Sequence, residues 1–484
     1  MRLVLAGLGV LILAVGGYLT ADVYDLVPGV LTLGRTPTTA GMPAAPTVTQ
    51  GASPSVTVAE VPIPSADASA AAPLVEPDDT APLPTGAGLA AALASVLADP
   101  GLGSSVGLTV RDASTGAHLL DVSAHVPRIP ASTAKLLTAT AIMSTLDPAR
   151  TFSTRAVRGA GAHDVILVAG GDTLLSPGTG NPAAVAGRAG LADLAGQTVR
   201  ALKAQGVTSV RLHIDDRYAL GARYAPGWFP ADIRAGLTGP VAMLGLSTQR
   251  PAPNKAASID PVLSAARAFG RALAAEGITV APVIARAASP EGGPDLGVVR
   301  SAPVAEVMAL AMDNSDNALT ESLARQAAVQ GGRPTSFVAV AAWVKETVAS
   351  KGVGVDGVTL IDTSGLSRGT LIPVRTLGDV LSLAAGGQDP ALQDVVAKLP
   401  VAGLTGTLAD RFLKGSAHAA AGIVRAKTGT LTGASALAGT VVDKDGRLLT
   451  FAILADKIPS GVGTLTARAA LDRIVATLAA CGCA

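Results

Sequence analysis

Pro130-Ala131-Ser132-Thr133-Ala134-Lys135, followed by the apolar run from Leu136 to Leu146, decides how the chain is read. A proline at the entrance and an Ala/Leu/Ile/Met interior predict a helix that opens at the serine. Ser132 and Lys135 then lie three residues apart on one face of its first turn. A serine hydroxyl is a poor nucleophile until a neighbour takes its proton, and a lysine of lowered pKa can do that. The helix N-terminus favours the negative charge that develops there. Alone, Ser-x-x-Lys is a weak pattern, and a surface serine and lysine on an ordinary helix would look the same.

The surroundings place this helix in a fold. Upstream, Gly107 to Arg111 and His118 to Val122 flank the turn cluster Asp112 to Ala117 and predict a hairpin, with a short helix before it at Leu89 to Leu97. Downstream, β-type runs at Phe152 to Val157, Val165 to Val168, Val207 to Ile214 and Ile278 to Ala285 alternate with helical stretches at Leu191 to Ala204 and Val262 to Glu276. This alternation reads as a separate inserted unit. Helices return at Pro303 to Met312, Ala318 to Val329, Phe337 to Ala349 and Arg375 to Ala385. The end is strand-rich, at Ile423 to Lys427, Ala434 to Val442 and Leu448 to Leu454, and closes with a helix from Leu465 to Ala479. The hairpin and the three late strands are expected to share one sheet flanked by helices, an α+β arrangement.

Two later triplets give Ser-x-x-Lys its meaning. Ser315-Asp316-Asn317 sits in a helix break; its serine can relay a proton and its asparagine amide both donates and accepts. Lys427-Thr428-Gly429 ends a predicted edge strand, where Gly429 leaves room for a ligand beside the backbone. Asp316 reads as structural, and Glu321 as a solvated or capping residue. The ordered trio resembles the signature of penicillin-binding proteins and serine β-lactamases. The long interval between Lys135 and Ser315 narrows the resemblance to the D-alanyl-D-alanine carboxypeptidase/endopeptidase family, the low-molecular-mass class C penicillin-binding proteins. Gly170-Gly171-Asp172-Thr173-Leu174, Asp362-Thr363-Ser364-Gly365-Leu366-Ser367-Arg368 and Leu399-Pro400-Val401-Ala402-Gly403 are similar to segments of that family, with Thr363 and Thr173 where Gly and Pro are more usual.

The resemblance implies a β-lactamase/transpeptidase-like antiparallel sheet flanked by helices, with an inserted second domain. It also implies a serine DD-peptidase working through an acyl-enzyme on peptidoglycan peptide stems, with β-lactams as acylating inhibitors. Ser132 is then the nucleophile and Lys135 its base, lowered by desolvation beside Lys427. Ser315 relays the proton and Asn317 holds the substrate amide. Lys427, Thr428, Gly429 and Thr430 form the strand that meets the terminal carboxylate, and the N–H groups of Ser132 and Thr430 form the oxyanion hole. Asp172, Leu366, Arg368 and Leu431 match residues that line the stem pocket. The competing readings are a β-lactamase or esterase on the same scaffold, and a non-catalytic cell-wall-binding protein.

Composition bounds the rest. The 484 residues carry a net charge of +1 with 15% charged side chains and no Lys/Arg block, which argues against nucleic acid as partner. The five histidines are scattered, without His-Glu-x-x-His, so neither a metal nor a cofactor is expected. His213 and Asp215 form an H-x-D pair of the inert kind. Met1-Arg2 and the apolar run from Leu3 to Leu19 suggest a membrane anchor, or else a cleaved signal, over residues 1–22. Either one exports the remainder of the chain. Residues 23–85 read as a Pro/Ala/Thr/Ser-rich linker. The penicillin-binding domain is then expected over 86–155 and 300–484, interrupted by an accessory domain over 156–299. The only cysteines, Cys481 and Cys483, are read as a strained small-ring disulfide, free thiols or intermolecular bridges.

Overall fold

The computed structural model describes residues 78–387 and 389–483. The expected anchor, and most of the expected linker, lie outside these residues. Among the described residues no helix is long and apolar enough to cross a membrane. Order does not wait for Gly86: Asp78 N–H donates to the Gly446 carbonyl, and Ala81 is buried.

In chain order the principal elements are α1 (Gly86–Leu97), β1 (Ser105–Asp112), β2 (His118–Val122), α2 (Lys135–Met143), β3 (Ser153–Arg158), β4 (Asp164–Val168), α3 (Leu191–Lys203), β5 (Ser209–Asp215), α4 (Pro261–Ala275) and β6 (Asp295–Arg300). There follow α5 (Val304–Asp313), α6 (Asn317–Gln330), α7 (Phe337–Ser350), α8 (Val374–Ala385), α9 (Pro390–Ala397), β7 (Arg425–Leu431), β8 (Ala434–Val442), β9 (Leu448–Asp456) and α10 (Thr464–Ala479).

The hairpin and the late strands do share one sheet, in the order β7-β8-β9-β1-β2, antiparallel throughout. Val110 lies opposite Phe451, Leu437 opposite Ile453, and Lys427 opposite Ala438. Strand β8 is buried at every position and β9 at nearly every one, because both faces of the sheet are covered. On one face α1 and α10 pack Leu89, Leu93, Leu471 and Ile474 against Leu108, Leu437, Phe451 and Ile453. On the other, α2 and α5 to α9 pack against Ala436, Ala438, Ala452 and Leu454. Helix α2 is buried on every side, as its apolar residues require. A short 3-10 turn, Ala131–Ala134, carries Ser132 just ahead of it.

The inserted unit begins and ends on neighbouring strands: β3 pairs antiparallel with β6, Ser153 opposite Arg300. Behind them β4 and β5 run parallel, with α3 and α4 packed on the sheet. Strand β6 is not legible as a strand in the sequence, being short and Gly-interrupted after a Pro/Gly-rich stretch. The run from Ile278 to Ala285 is not one strand but two pieces, Thr279–Val280 and Ala285–Arg286, because Pro282 breaks the ladder between them. Helix α9 is a further addition to the expected elements; Asp389 caps it and Pro390 opens it. Cys481 and Cys483 are paired with each other beside the end of α10.

Candidate active site

A cleft of about 660 Å³ opens between α6, strand β7 and the loop from Gly236 to Pro253 of the inserted unit. Ser132, Ser315, Asn317, Thr428 and Thr430 all line it, so residues from the three motifs meet in one place. Leu366 and Leu431 line it too.

The nucleophile candidate sits on a strained turn. Ala131 has φ +46°, in the left-handed region that costs a residue with a Cβ about 1 kcal/mol. This conformation brings Ser132 out of the turn while Lys135 starts α2 behind it. Lys135 is wholly buried, and its Nζ donates to Ser132 Oγ (2.9 Å), Asn317 Oδ1 (2.5 Å) and the Ser364 carbonyl (2.8 Å). All three donors of the ammonium are thus engaged. Burial lowers the Lys135 amine from its ordinary value to about 8, against the opposing pull of Asp362, Glu321 and Asp316. Desolvation therefore tunes this lysine. Lys427, expected to push it down, is instead the one pushed: burial first, then the Lys135 charge, hold its amine well below the usual lysine range. Lys427 is fully buried, donates to the Thr428 carbonyl, and is not among the residues that line the cleft.

The Ser364 carbonyl is held by a buried acidic scaffold. Glu321 accepts the N–H groups of Thr363 and Ser364 (both 2.8 Å), and Asp362 accepts those of Ser364, Gly365 and Ser367. Trp228 of the inserted unit donates its indole N–H to Asp362 (2.7 Å). Gly365 has φ +77°, and a Cβ there would sit 2.0 Å from the Ala131 carbonyl, so only glycine lets this segment close on the Ser132 turn. The expectation that Glu321 is solvated fails: it is 2% exposed, and burial with the nearby Asp362 raises its carboxyl to about 8. Its spacing of four from Asn317 puts it on the same helix face, which is the signal the sequence offers.

Ser315 occupies the break between α5 and α6 with φ +54°, and Asp316 caps α6 by accepting the Leu319 N–H. Asp316 also pairs with Arg250, so its carboxylate is spent on the scaffold. The Asn317 side chain is engaged at both ends, its Nδ2 donating to the Leu237 carbonyl (2.7 Å) of the inserted unit.

On the opposite wall β7 is the edge of the main sheet. Gly429 does not leave its space to a ligand: a Cβ there would meet the Pro130 carbonyl at 2.6 Å, so the glycine lets β7 approach the Ser132 turn. Thr428 Oγ1 donates to Thr407 Oγ1 (2.9 Å), and Thr430 Oγ1 accepts from Arg468 Nε of α10 (3.2 Å). Nothing in the local sequence signals Arg468 or the scaffold residue Trp228. Two stem-pocket candidates lie off the lining. Asp172 is 4% exposed behind Leu174, its carboxyl raised by burial to about 7. Arg368 is exposed and stacks over the Phe229 ring at 4.9 Å. The H-x-D pair is not a pair: His213 faces Asp164 (3.4 Å) while Asp215 binds Arg217 and Ser289.

Known proteins share this organisation. The profile of the D-Ala-D-Ala carboxypeptidase 3 (S13) family matches residues 89–253 and 246–479. "Carboxypeptidase DacB" of Mycolicibacterium smegmatis is 40% identical over 435 residues, 88% of this chain and 91% of that protein. A "D-alanyl-D-alanine carboxypeptidase" of an Actinomadura species is 28% identical over 73% of this chain and 78% of its own. Penicillin binding protein 4 of Haemophilus influenzae has the same fold, with a TM-score of 0.65 at 21% identity, over 81% of this chain and 98% of that one. The chain therefore belongs to the D-Ala-D-Ala carboxypeptidase 3 (S13) family and is a serine DD-peptidase of cell-wall processing.

Proposed function

We propose that Ser132 carries the acyl transfer, attacking the carbonyl between two D-alanines with Lys135 as its base. The observation that carries this reading is the buried Lys135 amine, bonded to Ser132 Oγ and lowered to about 8. An amine of that basicity is about one-tenth free base at pH 7, far more than an ordinary lysine, and as free base it accepts the Ser132 proton. The carbonyl oxygen becomes an oxyanion received by the N–H groups of Ser132 and Thr430. Ser315, on the cleft wall, passes a proton to the leaving amine, D-alanine departs, and water then resolves the Ser132 ester. Asn317 orients the substrate amide, exchanging the Leu237 carbonyl for the substrate's. Thr428 and Thr430 face the terminal carboxylate along β7, with Lys427 and Gly429 holding that strand in place. A β-lactam ring opens on Ser132 by the same attack.

Leu366 and Leu431 form the apolar side of the stem pocket, with Asp172 and Arg368 behind and beside it. Residues 156–299 serve as an accessory domain that builds this side of the cleft. The antiparallel pairing of β3 with β6, Ser153 opposite Arg300, and the reach of Trp228 and Leu237 to the catalytic segment support this reading. Residues 1–22 tether the enzyme to the outer face of the membrane and 23–85 space it from the bilayer, a reading that rests on the apolar run and the Pro/Ala-rich composition. The test is incubation of the exported domain with pentapeptide and with cross-linked muropeptides, beside its Ser132→Ala variant. Release of D-alanine from the first, or cleavage of the second, must vanish in the variant. Equal release by both proteins would sink the assignment.

A further inference from the structure

The substrate ends in a carboxylate that leaves water on entering the cleft, and burying an anion without a cation is costly. The lysine expected to meet it, Lys427, is sunk behind β7 with its amine turned to the Thr428 carbonyl.

The cleft holds another cation on the same side. Its charged lining residues are Arg250, Asp316, Arg411 and Arg468. Arg250 and Asp316 neutralise each other, and Arg411 is paired with Asp472. Arg468 forms no ion pair among the described residues. Asp410 and Asp472 influence it only at longer range, and Arg411 adds to its positive surroundings. Its Nε is spent on Thr430 Oγ1, while its two Nη groups have no hydrogen-bond acceptor among the described residues. Helix α10, packed on the back of the sheet, delivers this side chain beside the end of β7.

We propose that Arg468 is a specificity-determining residue that binds the substrate's C-terminal carboxylate, together with the hydroxyls of Thr428 and Thr430. The proposal rests on the peptidase reading and extends it to a residue outside the three motifs. A guanidinium suits this role because it stays charged when partly desolvated, and its fork leaves two donors after Nε is used. The bond to Thr430 fixes the fork, so less side-chain freedom is lost on binding. No bond is made or broken by Arg468.

The experiment compares kcat/KM for a stem peptide ending in D-alanyl-D-alanine with that for the same peptide as its C-terminal carboxamide. The wild-type enzyme is expected to favour the acid at least tenfold. Arg468→Gln, which keeps a donor for Thr430 but no charge, should lose about tenfold or more on the acid, mainly in KM, and leave the amide within twofold. Arg468→Lys should recover most of the preference. Equal losses on both substrates would mean that Arg468 only positions Thr430, and unchanged values on both would mean that it does neither; each result overturns the proposal. Release of D-alanine by the wild-type enzyme in the same assay tests the underlying reading. A lost effect with that release intact therefore counts against Arg468 alone. A melting curve for each variant separates misfolding from lost recognition.

Discussion

Lys135, buried behind one wall of the cleft, and Arg468, half-buried on the other, are bonded in opposite ways. Lys135 has every donor engaged, by Ser132, Asn317 and Ser364, and the last of these is itself fixed by Glu321 and Asp362. Arg468 has one contact and donors to spare. The helix wall is finished before substrate arrives, as a site that must hold a reacting group in place requires. The strand wall keeps polar groups unspent, as a site that must gain on binding requires. On the proposed roles, rate and recognition fall to different elements, α2 and α6 against β7 and α10, and substitutions on the two walls should have different signatures.

The sharpest break is Ser132→Ala. It should lower D-alanine release by about a thousandfold or more and abolish covalent labelling by a fluorescent penicillin, with binding of the unreacted peptide kept. Residual labelling at Ser132→Ala would move the nucleophile elsewhere. Gly429→Ala strikes where the two walls touch. Its Cβ would lie 2.6 Å from the Pro130 carbonyl, so β7 must retreat from the Ser132 turn. A loss of about a hundredfold in kcat is expected, because small displacements of reacting groups are costly.

A smaller effect separates charge from geometry on the helix wall. The rate should rise with pH and level off above about 8 as Lys135 becomes the free base. Glu321→Gln keeps an acceptor for the Thr363 and Ser364 N–H groups and, because the Glu321 carboxyl is raised to about 8 and holds its proton over most of this limb, removes little charge. The acidic limb should then stay close to that of wild type, with a plateau within about fivefold of it. A shift of the limb by about one pH unit or more in either direction would refute this account of the lysine.

The mildest test concerns stability. Burial raises the Asp172 carboxyl from 3.8 to about 7, so the native state holds this proton more tightly than the unfolded chain. Its contribution favours folding in acid and is lost as pH rises from about 4 to about 7. Asp172→Asn keeps the acceptor for the Leu174 N–H and removes that slope. The variant should melt close to wild type near about pH 4 and a few degrees above it near about pH 8.

Local pattern carried much of this molecule. The apolar run after Lys135 announced a buried helix, and the β-type runs near both ends announced the sheet that β1, β2 and β7 to β9 form. Such features depend on residues close together in sequence. Features that escaped depend on distant partners. Glu321 looks like any acidic residue on a helix until the segment from Asp362 to Ser367 is laid over it. Trp228 has no local reason to face Asp362. Asp295 to Arg300 becomes a strand because Ser153 to Arg158 offers it a ladder.

By itself the sequence pointed to the chemistry: a serine with a lysine three residues on, and two later triplets in fixed order, resemble the signature of a family whose reaction is acyl transfer. Only the tertiary structure decided how the charges are distributed. Basicity and charge exposure depend on burial, and burial is a property of the packed chain. Packing sank both motif lysines, took the space beside Gly429 for the Pro130 backbone, and left Arg468, near the far end of the chain, as the cation that faces the cleft unpaired among the described residues.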